Sequence, residues 1–120
     1  MNTTTTQARQ AIRRYIELRG FEVIEDSWAY GQDAIDYIAR DGENGDLVFV
    51  ATETHHNVGG GIPKSVADRK AFERLAAAYL ASANTDIDEC AVRLDVVSLL
   101  VLNESRGIIR HYRNAVSEAG

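Results

Sequence analysis

Two carboxylates, Asp36 and Glu53, are the side chains of this sequence best placed by type and spacing for phosphodiester chemistry. They fall in two apolar stretches, residues 34–40 and 47–54, separated by the polar run Asp41-Gly42-Glu43-Asn44-Gly45-Asp46. A glycine-punctuated polar run of this length closes a β-hairpin, and hairpin pairing brings Asp36 toward the end of the next strand, which holds Thr52 and Glu53. Carboxylates gathered at a strand junction can hold a divalent metal ion, which stabilises the charge that develops on an attacked phosphate. The competing reading of the same residues is a solvated sheet margin.

Other reactive residue types carry simpler readings. His55 and His56 are of metal-ligand type, but neighbours on a strand point to opposite faces, so an exposed pair is expected while the strand continues. Gly59-Gly60-Gly61 lacks the Lys-Ser/Thr ending of a phosphate loop and precedes Pro63, so it reads as a connector. Cys90, the sole cysteine, excludes an internal disulfide and sits beside Ala91 and Val92, where a buried thiol is expected. Asp95 follows Arg93 by two residues inside an apolar strand. Such a carboxylate is costly without a partner, so it either supports an active face or is paired locally.

These residues need elements to position them. Ala8, Ile12, Tyr15 and Ile16 recur at helical spacing over residues 6–19, with Thr4 and Gln7 placed as a capping box and Gly20 as the stop. Phe21, Val23 and Trp28 mark a first strand with Glu22 turned outward. In the second, residues 34–40, strict alternation puts Ile35, Tyr37 and Ala39 on one side and Asp36 and Ile38 on the other. Residues 47–54 form the antiparallel partner. A helix over 65–82, capped by Ser65, would bury Phe72, Leu75, Ala76, Tyr79 and Leu80. After a polar break at 84–89, residues 91–102 make a long apolar strand, residues 103–107 a turn and residues 108–112 a last strand, with a tail after it.

The chain of 120 residues and 45% hydrophobic composition has the proportions of one globular domain. No apolar run approaches a membrane span, and no secretory signal opens the sequence, so a cytoplasmic protein without a membrane partner is expected. The formal charge of −5 is unevenly placed. Arg9, Arg13, Arg14 and Arg19 face only Glu17 in the first helix, and Arg106, Arg110 and Arg113 cluster near the end. From Glu22 to Glu53, nine carboxylates face Arg40 alone, a stretch that repels a phosphate backbone.

The segments Ala34-Ile35-Asp36-Tyr37-Ile38-Ala39-Arg40-Asp41 and Leu47-Val48-Phe49-Val50 resemble the core of the YraN-type family of small bacterial proteins. That family's pattern runs Gly-Glu-Ile-Asp-Leu-Ile-Ala, a short hairpin, then Val-Phe-Val-Glu-Val-Lys-Thr-Arg. The likeness extends upstream through Trp28, Phe21, Gly20 and Tyr15-Ile16. Downstream it takes in Gly61, Pro63, Lys70, Tyr79-Leu80, Arg93-Leu94-Asp95-Val96-Val97 and the stretch from His111 to Val116. It implies a restriction-endonuclease-like α/β fold over residues 1–120, a mixed sheet flanked by helices in the order α-β-β-β-α-β-β.

In endonucleases of that fold a strand aspartate and a Glu-x-Lys motif on the next strand bind magnesium and activate water. Asp36 keeps the aspartate. Ala34 stands at the preceding glutamate, Ala51 at the metal-binding glutamate, Glu53 at the lysine, and Arg9 at a position that is often glutamate in the family's first helix. The resemblance therefore implies a catalytically degenerate domain whose vestigial site is Asp36 and Glu53, with any metal falling to Asp36, Glu53 and Asp33. It implies a nucleic-acid-binding or assembly module with DNA or RNA as partner; the charge distribution assigns such a contact to Arg9, Arg13 and Arg14, joined by Arg106, Arg110 and Arg113, the competing reading of the helix arginines being a solvated face. No cofactor is expected, Mg2+ or Mn2+ entering only with residual nuclease activity. The alternatives are a nuclease with an altered acid set and a protein-interaction domain, including a homodimer.

Overall fold

The helical spacing of Ala8, Ile12 and Ile16 closes one face of α1 (Asn2–Leu18), and all three side chains are buried. The computed structural model describes residues 2–56, 69–82, 91–103 and 106–115. The helix begins four residues before the expected start, so Thr4 lies within it rather than at its cap. Gly20 ends it with φ of +93°, a left-handed conformation that suits glycine. There follow β1 (Phe21–Tyr30), β2 (Asp33–Asp41), β3 (Leu47–His56), α2 (Arg69–Ser82), β4 (Val92–Asn103) and β5 (Arg106–Tyr112), the order expected. Gly59-Gly60-Gly61, Ser65, the 84–89 break, Cys90 and the end of the tail lie outside the described residues.

The strands form one mixed sheet in the order β1-β2-β3-β4-β5. Neighbours are antiparallel except β3 and β4, which run parallel with α2 between them in the chain. One sheet face carries α1 over Tyr37, Ala39, Val48, Val50 and Val97. The other carries α2 over Ile35, Ile38, Leu47, Phe49 and Leu94. Because β2 and β3 are covered on both faces, Leu47-Val48-Phe49-Val50 is apolar without alternation. In α2 the buried stripe is Leu75, Ala76 and Tyr79, with Phe72 partly buried. Leu80, expected in that stripe, is exposed because it projects about 100° around the helix from Tyr79.

Strict alternation fails in β2, and it fails at Asp36. Ile35 packs with Ile38 on the α2 face, whereas Tyr37 and Ala39 lie on the α1 face, so the expected grouping of Ile35 with Tyr37 does not hold. The physical reason is an opening in the sheet. Opposite Asp36, Ser27 of β1 has φ of +60°, and the ladder passes from Asp26↔Tyr37 to Trp28↔Ile35 without pairing Ser27 to Asp36. On the other side the β2–β3 register ends at Tyr37↔Val50. Among the described residues no helix is long and apolar enough to cross a membrane.

Candidate functional site

Asp36 sits where the β1–β2 ladder skips a pair and the β2–β3 ladder has ended, and its carboxylate takes over the bonding on the β3 side. Oδ2 accepts the Thr52 backbone N–H at 2.8 Å, a bond a strand carbonyl would otherwise accept. Oδ1 accepts Arg9 Nη1 at 2.6 Å. The same guanidinium reaches Ser27 Oγ at 3.2 Å and Asp26 Oδ1 at 3.4 Å and stacks 5.0 Å from the centre of the Tyr37 ring. Tyr37 in turn donates its hydroxyl to the Arg9 carbonyl at 3.3 Å. Burial works against the Arg9 charge, but the bond to Asp36 and the field of nearby acids outweigh it and hold its pKa above the ordinary value.

The other acids of the expected constellation point elsewhere. Asp33 is gripped by Arg74 of α2 at 2.8 and 3.0 Å, and that hydrogen bond lowers its pKa. Glu53 Oε1 lies 3.4 Å from Ser98 Oγ and 3.3 Å from His55 Nε2. Ala51 packs with the α2-side cluster, and the period of two puts Glu53 on that same side, away from α1. His56 is exposed on the opposite side from His55. Asp36 meets Thr52 and Arg9, but Asp33 and Glu53 do not join them, and the described residues contain no group of three or more His, Cys, Asp or Glu side chains able to hold a metal ion. A divalent ion of the endonuclease kind does not fit this donor set. Each Asp36 oxygen already accepts a hydrogen bond, Ala51 has no ligating atom, and the Arg9 guanidinium sets a positive charge directly against Asp36.

The six arginines divide between the two faces of the sheet. Arg9 is committed to Asp36, and Arg13 bonds Asp26 at 3.1 Å and Glu17 at 3.3 Å. Arg14 is exposed, with no carboxylate partner among the described residues. On β5, Ile109 and His111 face α1, so Arg106 and Arg110 project from the other face. Arg113 lies 3.5 Å from Asp41 and 3.7 Å from Glu43.

Asp95 proves to be paired locally, in a buried network wider than its sequence neighbourhood indicated. Its carboxylate is fully buried and accepts Arg93 Nε at 3.0 Å, Arg93 Nη2 at 3.2 Å, His111 Nε2 at 2.7 Å and the Asn114 N–H at 2.9 Å. Arg93 extends to Asp41 at 2.8 Å and Asp46 at 2.9 Å, tying the β2–β3 loop to β4. Burial alone would raise the Asp95 pKa; the bonds from His111, Arg93 and Asn114 reverse it, and the group is held below the ordinary range. Asp41 is likewise depressed against its own desolvation, by the Glu43 N–H and Arg93. Sequence reasoning found Arg93 and Asp95 but not Asp41 or Asp46 as members. The available signal was the pair of aspartates bracketing the hairpin loop.

The sequence model of Uncharacterised protein family UPF0102 matches residues 8–99, which run from partway along α1 through most of β4. A UPF0102 protein of Beutenbergia cavernae is 35% identical over 103 residues, covering 83% of this chain and 84% of the relative. One from Chlorobaculum tepidum is 32% identical over 102 residues, covering 82% and 76%. One from Acidothermus cellulolyticus is 32% identical, covering 92% and 97%. The chain therefore belongs to the UPF0102 family, the YraN-type family that its hairpin core resembles.

Proposed function

We propose that this chain is a nucleic-acid-binding member of its family that has given up metal-dependent hydrolysis. One observation carries the reading: the Asp36 carboxylate is bonded on one oxygen by Arg9 at 2.6 Å and on the other by the Thr52 N–H at 2.8 Å. The guanidinium supplies internally the positive charge that a metal would bring, but it has no exchangeable water to activate and no open coordination position. Ala51 and Glu53, standing where the family pattern has glutamate and lysine, agree with that reading. Phosphate contact falls to the exposed side of α1, with Arg14 at its centre and Arg13 beside it. The net charge of −5 makes such binding local and salt-sensitive.

The test is titration of labelled duplex DNA and of structured RNA across salt concentrations, with a cleavage assay in Mg2+ and Mn2+. The natural protein should bind without cutting. Arg13→Gln with Arg14→Gln should lower affinity, reduce the salt slope by about one for each phosphate no longer neutralised, and leave the melting temperature nearly unchanged. Cleavage that disappears in Asp36→Asn would overturn the reading in favour of a nuclease with an altered acid set. Salt-insensitive binding, or none at low salt, would replace it with a protein-interaction role.

A further inference from the structure

We propose a second binding site, for a phosphomonoester, in a cavity of about 520 Å³ at the opposite end of β2 from Asp36. The last turn of α1 supplies Tyr15, Leu18 and Arg19, the β2–β3 loop supplies Glu43, and the end of β5 supplies His111 and Arg113. That the phosphate belongs to the end of a nucleic-acid strand rests on the function proposed above; the phosphate pocket itself does not.

His111 is the best-positioned group. Its Nε2 is fixed 2.7 Å from the buried Asp95 carboxylate, so that nitrogen carries a proton and Nδ1 is directed away from Asp95. Among the described residues the partner of Nδ1 is the Tyr15 hydroxyl, at 3.4 Å, a separation long for a hydrogen bond and open to a better partner. Edge-on contacts with Tyr15 and Phe21, at 5.7 and 5.8 Å, hold the ring in place. When both ring nitrogens carry protons, Nδ1–H donates into the cavity.

Two guanidiniums flank that donor. Arg19 lies over the Tyr15 ring at 5.3 Å and has no carboxylate partner among the described residues. Arg113 is half-exposed and loosely held by Asp41 and Glu43 at 3.5 and 3.7 Å. A doubly charged phosphate is a stronger acceptor for such forked donors than a carboxylate at those distances.

The negative groups nearby are already engaged. Asp41 and Asp95 accept from Arg93, from His111 and from the N–H groups of Glu43 and Asn114. Glu43 is 76% exposed on its loop, free to swing away. In the last turn of α1, whose dipole disfavours an anion, the Tyr15, Ile16 and Glu17 carbonyls accept the Arg19 and Gly20 N–H groups at 3.0 to 3.1 Å, and the two guanidiniums and His111 must outweigh that dipole. The volume exceeds that of a lone phosphate and suits a nucleotide, with the exposed Leu18 side chain available to the base.

The experiment follows the His111 ring nitrogens by NMR in the whole chain during titration with inorganic phosphate, a nucleoside monophosphate, and oligonucleotides bearing a 5′-phosphate, a 3′-phosphate or neither. The phosphomonoesters should shift the His111 signals. Arg19→Gln with Arg113→Gln, both at exposed positions, should weaken that binding at least about tenfold with the fold intact. Tyr15→Phe should alter the His111 signals while retaining most affinity. Shifts from a mononucleotide without oligonucleotide binding would keep the pocket and remove the nucleic-acid reading. Oligonucleotide binding indifferent to a terminal phosphate, with His111 unmoved by any phosphomonoester, would overturn the pocket and leave the nucleic-acid reading standing.

Discussion

At the scale of residues, the molecule spends its buried charge on architecture. Arg93 faces three carboxylates, Asp41, Asp46 and Asp95, two of them without solvent exposure. Asp41 and Asp95 are both held below their ordinary pKa of 3.8, so between that value and their lower native values the unfolded chain takes up protons that the folded chain refuses. Stability must therefore fall as pH falls through this window, the contribution of both groups being complete above about pH 5. Urea midpoints measured from pH 7 to pH 2.5 should show this steep acid limb. Asp95→Asn should lower stability at neutral pH and flatten the limb. A limb of unchanged slope in that variant would show that Asp95 titrates alike in both states. Arg9 and Asp36, each with about a third of the side chain exposed, form a weaker pair, worth about 1 kcal/mol at most.

At the scale of elements, the turn after β2 is fitted to the turn after α1. Gly42 donates its N–H to the Gly20 carbonyl at 2.9 Å, and a Cβ on Gly42 would stand 2.5 Å from that same oxygen. Backbone cannot swing aside as a flexible side chain would, so Gly42→Ala should destabilise by about 1–3 kcal/mol, read from urea denaturation. A neutral result would mean that the α1–β1 junction yields easily. This hairpin was legible in sequence because alternating strands and a glycine-rich loop are local signals, and the order of all seven elements followed from such signals. The opening at Asp36 was not legible. It depends on a left-handed Ser27, a residue type that does not announce that conformation, and it moves Ile35 to the face opposite Tyr37. The meeting of Arg9 with Asp36 spans 27 residues and arises from how α1 crosses the sheet. Only the arginine at a position often glutamate in the family hinted at it.

At the scale of the whole molecule, the same two strands carry both cores. β2 and β3 present Tyr37, Ala39, Val48 and Val50 toward α1, and Ile35, Ile38, Leu47 and Phe49 toward α2. Close-packed side chains on one face fix the backbone from which the other face projects, so neither helix should be able to leave while the opposite cluster stays ordered. Trp28, the only tryptophan, reports on the α2 side, where its ring meets Tyr79 edge-on at 5.2 Å. Ile12, on the inner face of α1, is fully buried against the other side of the sheet. Ile12→Ala should cost about 2–5 kcal/mol through lost burial and the cavity left behind. If the chain folds as one cooperative unit, that loss must appear at Trp28, which Ile12 does not touch. The tryptophan fluorescence transition and the far-ultraviolet circular dichroism transition should shift together, with one midpoint, in the natural protein and in the variant alike. A Trp28 transition left in place while the helical signal moves would divide the molecule into an α1 unit and an α2 unit that fold separately.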